Sequence, residues 1–414
     1  MIIDKYNKNY IKTTPVNSLR GECEVQGDKS ISHRAIMIGA LTQGILTITN
    51  FLESEDTLNT AKAYIKMGVN INGLGTDRVQ INGVGFNGLA EPKEILNMGN
   101  SGTSMRLLLG ILSGQQFYSV VTGDKSLCSR PMKRVTVPLK NMGAVIYGRD
   151  NSNFAPLTIL GKKLKGIEFN SKIASAQIKS CLLFAGLFAR GKTIVREPSL
   201  SRDHTERMLA YLGADINKKD IFSTEITGKK KLKARDIEVP GDISSASYFI
   251  VGALILDNSQ VILKNVGVNP TRTGIIDVLK QMGGNIELLN YREINNEPIA
   301  DIKVSSSKLQ GIKISGDIIP KLIDEIPIIA VAAACAGGTT IIKDATELRV
   351  KESDRIKTIT NELSLLGVKI KELPDGLIIT GGKYFKSCDK SSSYGDHRIA
   401  MSLAIAGLFA RGKT

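Results

Sequence analysis

The chain has 414 residues, enough for two or three domains, and the composition of an ordinary globular protein, with 42% hydrophobic and 23% charged residues. The net charge of +15 suits either nucleic acid or small polyanions, but the absence of tryptophan and 5% aromatic residues leave little for base stacking. There is no bilayer-length apolar run, no signal-peptide core in the first twelve residues and no CxxC pair among five cysteines, so we expect a cytoplasmic protein without disulfides or structural zinc.

In chain order, a helix of small and apolar residues recurs six times, each time followed by a short turn and a strand. The copies lie at 35–48, 105–121, 182–195, 248–263, 330–342 and 402–414. A second helix follows the first five copies and ends at a glycine before another strand, within 65–71, 140–146, 210–216, 280–286 and 364–370. The pattern predicts one αβαβ unit that recurs six times at intervals of roughly 65–85 residues.

The first and fourth units begin alike, with VQGDKSISHR at 25–34 and VPGDISSASY at 239–248. This similarity predicts two domains of three units, one over residues 21–237 and the other over 1–20 plus 238–414. The sixth unit stops after its first helix, and by the register of the others at least about thirty more residues would complete it. We therefore expect the sixth unit to be truncated.

The segment AGLFARGKT occurs at 185–193 and again at 406–414, and it contains a match to the P-loop pattern G-x-x-x-x-G-K-[ST]. A P-loop lies between a buried strand and a helix that faces the phosphates. Here the order is reversed, because a helical pattern precedes Gly191 and a β-branched run follows it. We expect Gly191 to end the helix in the left-handed conformation, and we expect no ATP hydrolysis.

The first helices all begin in polar stretches whose Asp, Ser, Asn and Thr side chains can cap backbone N–H groups. The stretches are GDKSISHR (27–34), GNSGTSMR (99–106), ASAQIKS (174–180), GDISSAS (241–247), IDEIP (323–327) and YGDHRIAM (394–401). Capping does not explain Lys29, Arg34, Arg106 and Arg398, because a helix dipole disfavours cations in its first turn. Units related by rotation would direct these N-termini into one cleft, which would then bind anions.

The second helices add three charged stretches: SRPMKR (129–134), SRDHTER (201–207) and LRVKESDRIK (348–357). Lys351, Glu352 and Arg355 lie within about one helical turn and could face one site, although an exposed charged helix is the commoner meaning of such a run. The three histidines show no metal-ligand spacing, and Cys128 is the only cysteine placed to act as a nucleophile. The sequence predicts no metal site.

Taken together and in order, eight of these segments strongly resemble the 5-enolpyruvylshikimate-3-phosphate synthases (3-phosphoshikimate 1-carboxyvinyltransferases). They are GDKSISHR, GNSGTSMR, SRPMKR, ASAQIKS, RDHTER, IDEIP, LRVKESDR and GDHRIAM. The resemblance runs from residue 13 to the last residue and is closest to the bacterial class with RDHTE and LRVKESDR, the class II-like form. It implies an α/β fold of two inside-out, barrel-like domains, each of three repeated units, with the active site in the interdomain cleft.

The resemblance also implies an activity. The family transfers the enolpyruvyl group of phosphoenolpyruvate to the 5-hydroxyl of shikimate 3-phosphate, by addition and then elimination of phosphate, in the shikimate pathway to chorismate and the aromatic amino acids. Both substrates are anions, which agrees with cation-bearing helix ends. We expect a monomeric enzyme with no cofactor, no nucleic-acid partner and no membrane partner.

Carried over by motif, the contacts to shikimate 3-phosphate would come from Lys29, Ser30, Arg34, Ser175, Ala176, Gln177, Arg202, Asp324 and Lys351. Those to phosphoenolpyruvate would come from Lys29, Gly102, Arg130, Gln177, Arg355 and Arg398. Ala176 stands where the family can have a second serine, so one hydrogen bond to phosphate would be absent. A further lysine that the family carries after the GKT segment has no counterpart in this chain.

Three residues are expected to act in catalysis, again by resemblance: Asp324, Glu352 and Lys29. Asp324 would remove the proton from the attacking hydroxyl, and Glu352 would handle the proton at the methylene carbon. These transfers need two groups in opposite protonation states. The sequence leaves open which carboxylate is in which state.

Two other functions compete. The related UDP-N-acetylglucosamine enolpyruvyl transferases typically place a cysteine several residues before an Arg-Pro pair, whereas Cys128 lies only two residues before Arg130. A basic protein that binds or processes RNA would show salt-dependent RNA binding. The shikimate enzyme is favoured over both by its eight ordered segments.

Overall fold

The structure is a computed structural model, and it describes residues 10–382 and 385–414. The chain forms two compact units. The first unit comprises Gln26–Pro240 and Glu293–Glu297, and the second comprises Met1–Val25, Gly241–Arg292 and Pro298–Thr414. Residues 1–9, which the predicted second domain includes, lie outside the described residues.

The helices are numbered in chain order across both units. They are α1 (Lys29–Ala40), α2 (Glu55–Lys66), α3 (Gly102–Ser113), α4 (Lys133–Asn141), α5 (Arg149–Ser152), α6 (Ala176–Phe188), α7 (His204–Tyr211), α8 (Ile243–Ile255), α9 (Gly274–Gln281), α10 (Ile319–Leu322), α11 (Ile326–Cys335), α12 (Arg355–Leu365) and α13 (His397–Leu408). Short 3-10 turns cover Leu127–Ser129, Gly316–Ile318 and Thr346–Val350.

The strands are short, and several have only two or three residues. They are β1 (Arg20–Glu24), β2 (Thr42–Thr49), β3 (Asn70–Asn72), β4 (Val79–Val84), β5 (Leu96–Asn97), β6 (Tyr118–Thr122), β7 (Val145–Gly148), β8 (Phe154–Leu160), β9 (Glu168–Asn170), β10 (Lys192–Arg196), β11 (Asp215–Asp220), β12 (Ser223–Thr227), β13 (Leu232–Lys233), β14 (Ile237–Glu238), β15 (Gln260–Gly267), β16 (Asn285–Ile294), β17 (Glu297–Ser305), β18 (Lys313–Ile314), β19 (Thr339–Ile342), β20 (Lys369–Leu373) and β21 (Gly376–Thr380).

Five sheets in the described part of the chain share one pattern of strand order. Four have four strands, in the orders β5-β6-β8-β7, β9-β10-β12-β11, β1-β15-β17-β16 and β18-β19-β21-β20. In the fifth, β13 and β14 both pair with β2, which is followed by β4 and β3. In every sheet the short edge strand is parallel to the strand that follows the first helix. The repeat is therefore βαβαββ, so the predicted αβαβ unit lacked the edge strand and one strand of the terminal hairpin.

The edge strand of two repeats comes from a distant part of the sequence. β14, which lies at the end of the first unit, pairs with β2. β1 pairs with β15, although about 240 residues separate these two strands in the sequence. The sixth repeat contributes α13 and an isolated parallel bridge between Phe385 and Ala410.

The first helices of the repeats are buried on nearly all sides, because most of their residues after the first turn are apolar or small. In the second unit α8, α11 and α13 contact one another, and α11 is buried from Ile326 to Ala334. In the first unit α3 packs against both α1 and α6. Each unit has its own apolar core built around these helices.

The second helices end as predicted, because each is followed by a glycine with positive φ. These are Gly68, Gly143, Gly213, Gly283 and Gly367, with φ between 83° and 102°. Gly191, with φ of 85°, likewise follows α6 and precedes β10. The P-loop order of strand, glycine-rich loop and helix is therefore absent at 186–193, as expected from the sequence.

Candidate active site

Five of the six first helices begin with a side-chain cap, as their polar stretches predict. The capping residues are Asp28, Ser101, Ser175, Asp242 and Asp396, each of which accepts a hydrogen bond from a backbone N–H in the first turn. The stretch IDEIP is the exception. α11 begins after Glu325 without a side-chain cap, and Pro327 in its first turn has no N–H to satisfy.

The four predicted cations occupy two kinds of position. Lys29 and Arg398 are the first and second residues of their helices, whereas Arg34 and Arg106 are the sixth and fifth. The prediction that all four cations lie in the first turns was therefore wrong for Arg34 and Arg106. Helical side chains lean toward the N-terminus, so a cation one turn later still reaches back. Arg34 Nη1, for example, donates to the carbonyl oxygen of Ser30 at 2.9 Å.

Two guanidinium groups, those of Arg106 and Arg130, lie at the N-terminus of α3. A Cβ on Gly102 would lie 3.2 Å from Arg106 Nη1 and 3.4 Å from Arg130 Nη1. Arg106 Nη1 also donates to Gln177 Oε1 at 2.6 Å, and Gln177 Nε2 donates to Thr103 Oγ1 at 3.2 Å. Arg130 Nη2 donates to the Asn100 side chain and to Ser126 Oγ. Backbone N–H groups and two cations at one helix end favour an anion.

Arg34 is held among hydroxyl groups in the interior of the first unit. Its Nε donates to Thr205 Oγ1 at 2.6 Å, and its Nη2 donates to Ser180 Oγ at 2.9 Å. Burial lowers the pKa of the Arg34 guanidinium to about 10, which still leaves it charged at neutral pH. Lys29 is more exposed, and its Nζ lies 3.1 Å from Asp56 Oδ2.

The other residues predicted for shikimate 3-phosphate lie at element boundaries. Ser30 is the second residue of α1, Ala176 is the first residue of α6, and Ser175 caps that helix through its hydroxyl. Arg202 is half-buried, two residues before α7 begins. Arg202 also lies near enough to Arg34 that its charge lowers the pKa of Arg34, after the larger effect of burial.

In the second unit, Arg355 forms ion pairs with three carboxylates. Arg355 Nη1 lies 3.2 Å from Asp324 Oδ1, and Arg355 Nη2 lies 2.7 Å from Glu352 Oε2. Arg355 Nε and Nη2 donate to the two oxygens of Asp396 at 2.8 and 3.3 Å. Lys351 Nζ adds a second cation at 3.3 Å from Asp324 Oδ1. Asp396 was not predicted for the site, and its only sequence signal was the capping pattern.

The predicted helical turn that carries Lys351, Glu352 and Arg355 is not present. α12 begins at Arg355, with Asp354 as its cap, while Lys351 and Glu352 lie in a bend before it. The three side chains still meet, because Arg355 pairs with Glu352 and with Asp324, and Asp324 also pairs with Lys351. Burial would raise the pKa of Glu352, but Arg355 and Lys351 outweigh it and hold that pKa at about 2.

Arg398 lies beside a second buried group of charges. Its Nη1 is 3.9 Å from Glu325 Oε1, and that oxygen also accepts the hydroxyl of Ser244. Burial would lower the pKa of Arg398, but Asp324, Tyr248 and Glu325 together raise it, so the guanidinium stays charged. Sequence reasoning gave no role to Glu325, although it lies in the IDEIP segment, or to Tyr248, which ends the VPGDISSASY stretch.

The structure brings together some of the predicted residues within each unit, while Lys29 pairs with Asp56 instead. Gly102, Arg130 and Gln177 meet in the first unit, and Asp324, Lys351, Glu352 and Arg355 meet in the second. Within the described ranges there is no cluster of His, Cys, Asp and Glu that could hold a metal ion. None of the described helices has the length and hydropathy of a membrane span.

Comparison with known proteins gives one consistent family. Residues 13–414 match the family described as EPSP synthase (3-phosphoshikimate 1-carboxyvinyltransferase). A 3-phosphoshikimate 1-carboxyvinyltransferase from Citrifermentans bemidjiense is 54% identical, over 97% of this chain and 92% of that protein. One from Petrotoga mobilis is 53% identical, over 97% and 93%. The solved EPSP synthase of Acinetobacter baumannii superposes with a TM-score of 0.87 at 47% identity, covering 97% of this chain and 92% of that one. The chain belongs to the EPSP synthase family.

Proposed function

We propose that this protein transfers the enolpyruvyl group of phosphoenolpyruvate to the 5-hydroxyl of shikimate 3-phosphate and releases phosphate. It is a transferase of the enolpyruvyl (1-carboxyvinyl) type, in the shikimate pathway to the aromatic amino acids. The observation that carries the proposal is the pair of clusters, two guanidinium groups around Gly102 and cations paired with carboxylates around Arg355, in a chain that matches the family over residues 13–414.

In the first unit, the proposed contacts suit phosphate groups. The backbone at Gly102 and the Arg130 guanidinium would bind the phosphate of phosphoenolpyruvate, as the N-terminal end of α3 favours an anion. Lys29 and Gln177 would contact both substrates. Shikimate 3-phosphate would bind to the remaining predicted residues of this unit: Ser30, Arg34, Ser175, Ala176 and Arg202.

In the second unit, the proposed contacts suit a carboxylate and a proton transfer. Arg355 and Arg398 would bind the carboxylate of phosphoenolpyruvate, since guanidinium groups bind carboxylates in bidentate fashion. Asp324, with Lys351 beside it, would accept the proton of the 5-hydroxyl while the hydroxyl oxygen forms a bond to C2 of phosphoenolpyruvate. The C3 methylene gains a proton in that addition, and it loses one when the bond from C2 to the phosphate oxygen breaks.

The charge on Glu352 gives a physical condition for its part in that exchange. With a pKa of about 2, Glu352 is a carboxylate and cannot donate a proton to C3. A substrate carboxylate bound to Arg355 would compete for the guanidinium that keeps this pKa low. Phosphoenolpyruvate would thereby raise the pKa of Glu352 and allow it to carry the proton.

We propose that the two units are the two three-repeat domains and that each is an inside-out α/β domain. Burial of the apolar first helices inside each unit supports this arrangement. We also propose a monomer in the cytoplasm. Both sets of site residues belong to one chain, and all five cysteines are free thiols, which suits a reducing compartment.

The proposal is tested by phosphate release from phosphoenolpyruvate with either shikimate 3-phosphate or UDP-N-acetylglucosamine as acceptor. We expect turnover with the first acceptor only. Asp324→Asn should lower kcat by about 10²–10⁴-fold, which is the usual contribution of a positioned acid or base. Asp317→Asn, the same change at an exposed site in the same unit, should leave kcat unchanged. Turnover with the sugar nucleotide, or equal effects of the two substitutions, would contradict the proposal.

A further inference from the structure

A buried cluster of three charges lies beneath the first unit's predicted phosphate contacts. Lys179 Nζ, on α6, is 2.7 Å from Glu197 Oε2 and 2.8 Å from Glu206 Oε1. The exposed fractions of the three side chains are 5%, 3% and 8%. Isolated charges are costly to bury, and an apolar side chain of similar size could fill the position of Lys179. The cluster therefore calls for an explanation beyond packing.

One member of the cluster fixes two segments that carry predicted substrate contacts. Glu197 Oε1 accepts the backbone N–H of Ser175 at 3.1 Å and the hydroxyl of Ser201 at 2.5 Å. Ser175 is the cap of α6, and Ser201 precedes Arg202. Glu197 Oε1 therefore connects the start of α6 to the loop that contains Arg202.

The other members of the cluster connect to Arg34. Lys179 Nζ donates to the carbonyl oxygen of Ser201 at 3.4 Å. Among the carboxylates that raise the pKa of Arg34 against the larger effect of burial, Glu206 acts most strongly, and its neighbour Thr205 accepts a hydrogen bond from Arg34 Nε. Lys179 lies between the two carboxylates, and burial raises the pKa of Glu206 against the opposing effect of Lys179. Removal of Lys179 would leave both carboxylates without their ion-pair partner, directly behind a site that must accept a phosphate.

We propose that Lys179 and Glu197 are positioning residues for shikimate 3-phosphate: they hold Ser175 and the loop of Arg202 in place, and they keep negative charge from building up behind the phosphate. The proposal rests on the proposed function. It assigns Lys179 and Glu197 no contact with either substrate. Their bonds reach Ser175 and the loop of Arg202, which are predicted to contact shikimate 3-phosphate alone. Affinity for that substrate should therefore depend on them much more strongly than affinity for phosphoenolpyruvate.

The test compares Lys179→Met with Lys192→Met in the full chain. Lys192 is a matched control, because it also pairs with a glutamate, Glu225, but on the surface of the same unit. The dissociation constant of shikimate 3-phosphate is measured by calorimetry, and the KM of phosphoenolpyruvate is measured at saturating shikimate 3-phosphate. Lys179→Met should raise the dissociation constant at least about tenfold and change that KM by less than about threefold. Lys192→Met should change neither.

If Lys179 served only to stabilise the fold, Lys179→Met would leave the dissociation constant of shikimate 3-phosphate unchanged. Partial unfolding would lower the concentration of active enzyme and hence kcat, while the folded fraction would bind with the normal constant. An unchanged dissociation constant, or an equal rise for both substrates, would overturn the proposal. Glu197→Ala is the second variant if Lys179→Met does not fold: it removes the oxygen that accepts from Ser175 and Ser201, and it leaves Lys179 paired with Glu206. A rise in the same direction is expected, and no rise would again overturn it.

The two proposals can fail separately. If the wild-type protein binds shikimate 3-phosphate but releases no phosphate from phosphoenolpyruvate, the proposed function fails, and the comparison of dissociation constants still applies. If the wild-type protein turns over and Lys179→Met binds normally, only the positioning role fails.

Discussion

At Gly102, one added methyl group would change the anion site without changing any charge. The methyl would lie 3.2 Å from Arg106 Nη1 and 3.4 Å from Arg130 Nη1, where the phosphate of phosphoenolpyruvate is proposed to bind. Gly102→Ala should therefore raise the KM of phosphoenolpyruvate by about tenfold, since small misplacements in a site are costly. The KM of shikimate 3-phosphate should change little. Steady-state kinetics with each substrate varied in turn checks this, and equal changes in both values would contradict it.

The lowered pKa of Glu352 predicts that the stability of the protein depends on pH. Its pKa is about 2 in the folded protein against an ordinary value of 4.5, because Arg355 and Lys351 outweigh the effect of burial. A lowered folded-state pKa contributes stability above the unfolded-state pKa, and that contribution is lost as pH falls from about 4.5 toward 2. Glu352→Gln should lower the free energy of unfolding by about 1–3 kcal/mol at pH 7 and by clearly less at pH 3.5.

Urea denaturation of the wild type and the variant at both pH values measures this difference. Glu94→Gln is the control, because Glu94 forms an ion pair with Lys66 at the surface, where such pairs contribute little. A loss that is the same at pH 7 and pH 3.5 would show that the Glu352 carboxylate charge is not responsible.

At the scale of elements, the end of α6 offers a test of backbone conformation alone. Gly191 has φ of 85°, and a Cβ there would meet nothing within 4 Å. Gly191→Ala should therefore lower the free energy of unfolding by about 1 kcal/mol through backbone strain, and Gly191→Asn should cost less. Neither change should alter the KM of either substrate. Lys192→Ala should also leave activity intact, whereas a P-loop would lose function in all three variants.

Helices were easier to predict from the sequence than strands. The five terminal glycines and the buried first helices follow from local patterns, since a positive φ selects glycine and an all-apolar helix must be buried. The edge strands could not be predicted. β5, β13, β14 and β18 have two residues each, which is too short for an alternating pattern, and β1 pairs with a segment far along the chain.

The same distinction applies to the candidate site. Residues within one motif, such as Lys351, Glu352 and Arg355, could be grouped from the sequence even though the predicted helical turn was wrong. The partners of Lys179 could not, because Glu197 and Glu206 come from other segments, and neither the charged stretch that contains Glu206 nor the sequence around Glu197 points to Lys179. Contacts that depend on tertiary packing leave no local signal.

At the scale of the whole molecule, the proposed machinery is divided between the two units. The first unit carries the residues proposed for both phosphates, and the second carries Asp324, Glu352 and the arginines proposed for the carboxylate. The repeat explains why each unit can supply such a set: it places a helix N-terminus, with its partial positive charge, at the same point of every copy. Function then depends on which side chains occupy that point.

In the second unit, the pairing of β1 with β15 predicts that the segment before the first unit folds together with the segments after it. β1 pairs with β15 over residues 20–24 and 260–264, and Val25 packs within 3 Å of where a Gly241 side chain would lie. A chain of residues 10–25 joined by a short glycine-serine linker to 241–414 should therefore unfold cooperatively in urea, at a higher concentration than 241–414 alone. Without β1, β15 becomes an exposed edge strand, which favours aggregation. Neither chain should release phosphate, because Gly102 and Arg130 are absent from both. Circular dichroism gives the two unfolding midpoints, and equal midpoints would show that β1 is not an integral strand of this unit.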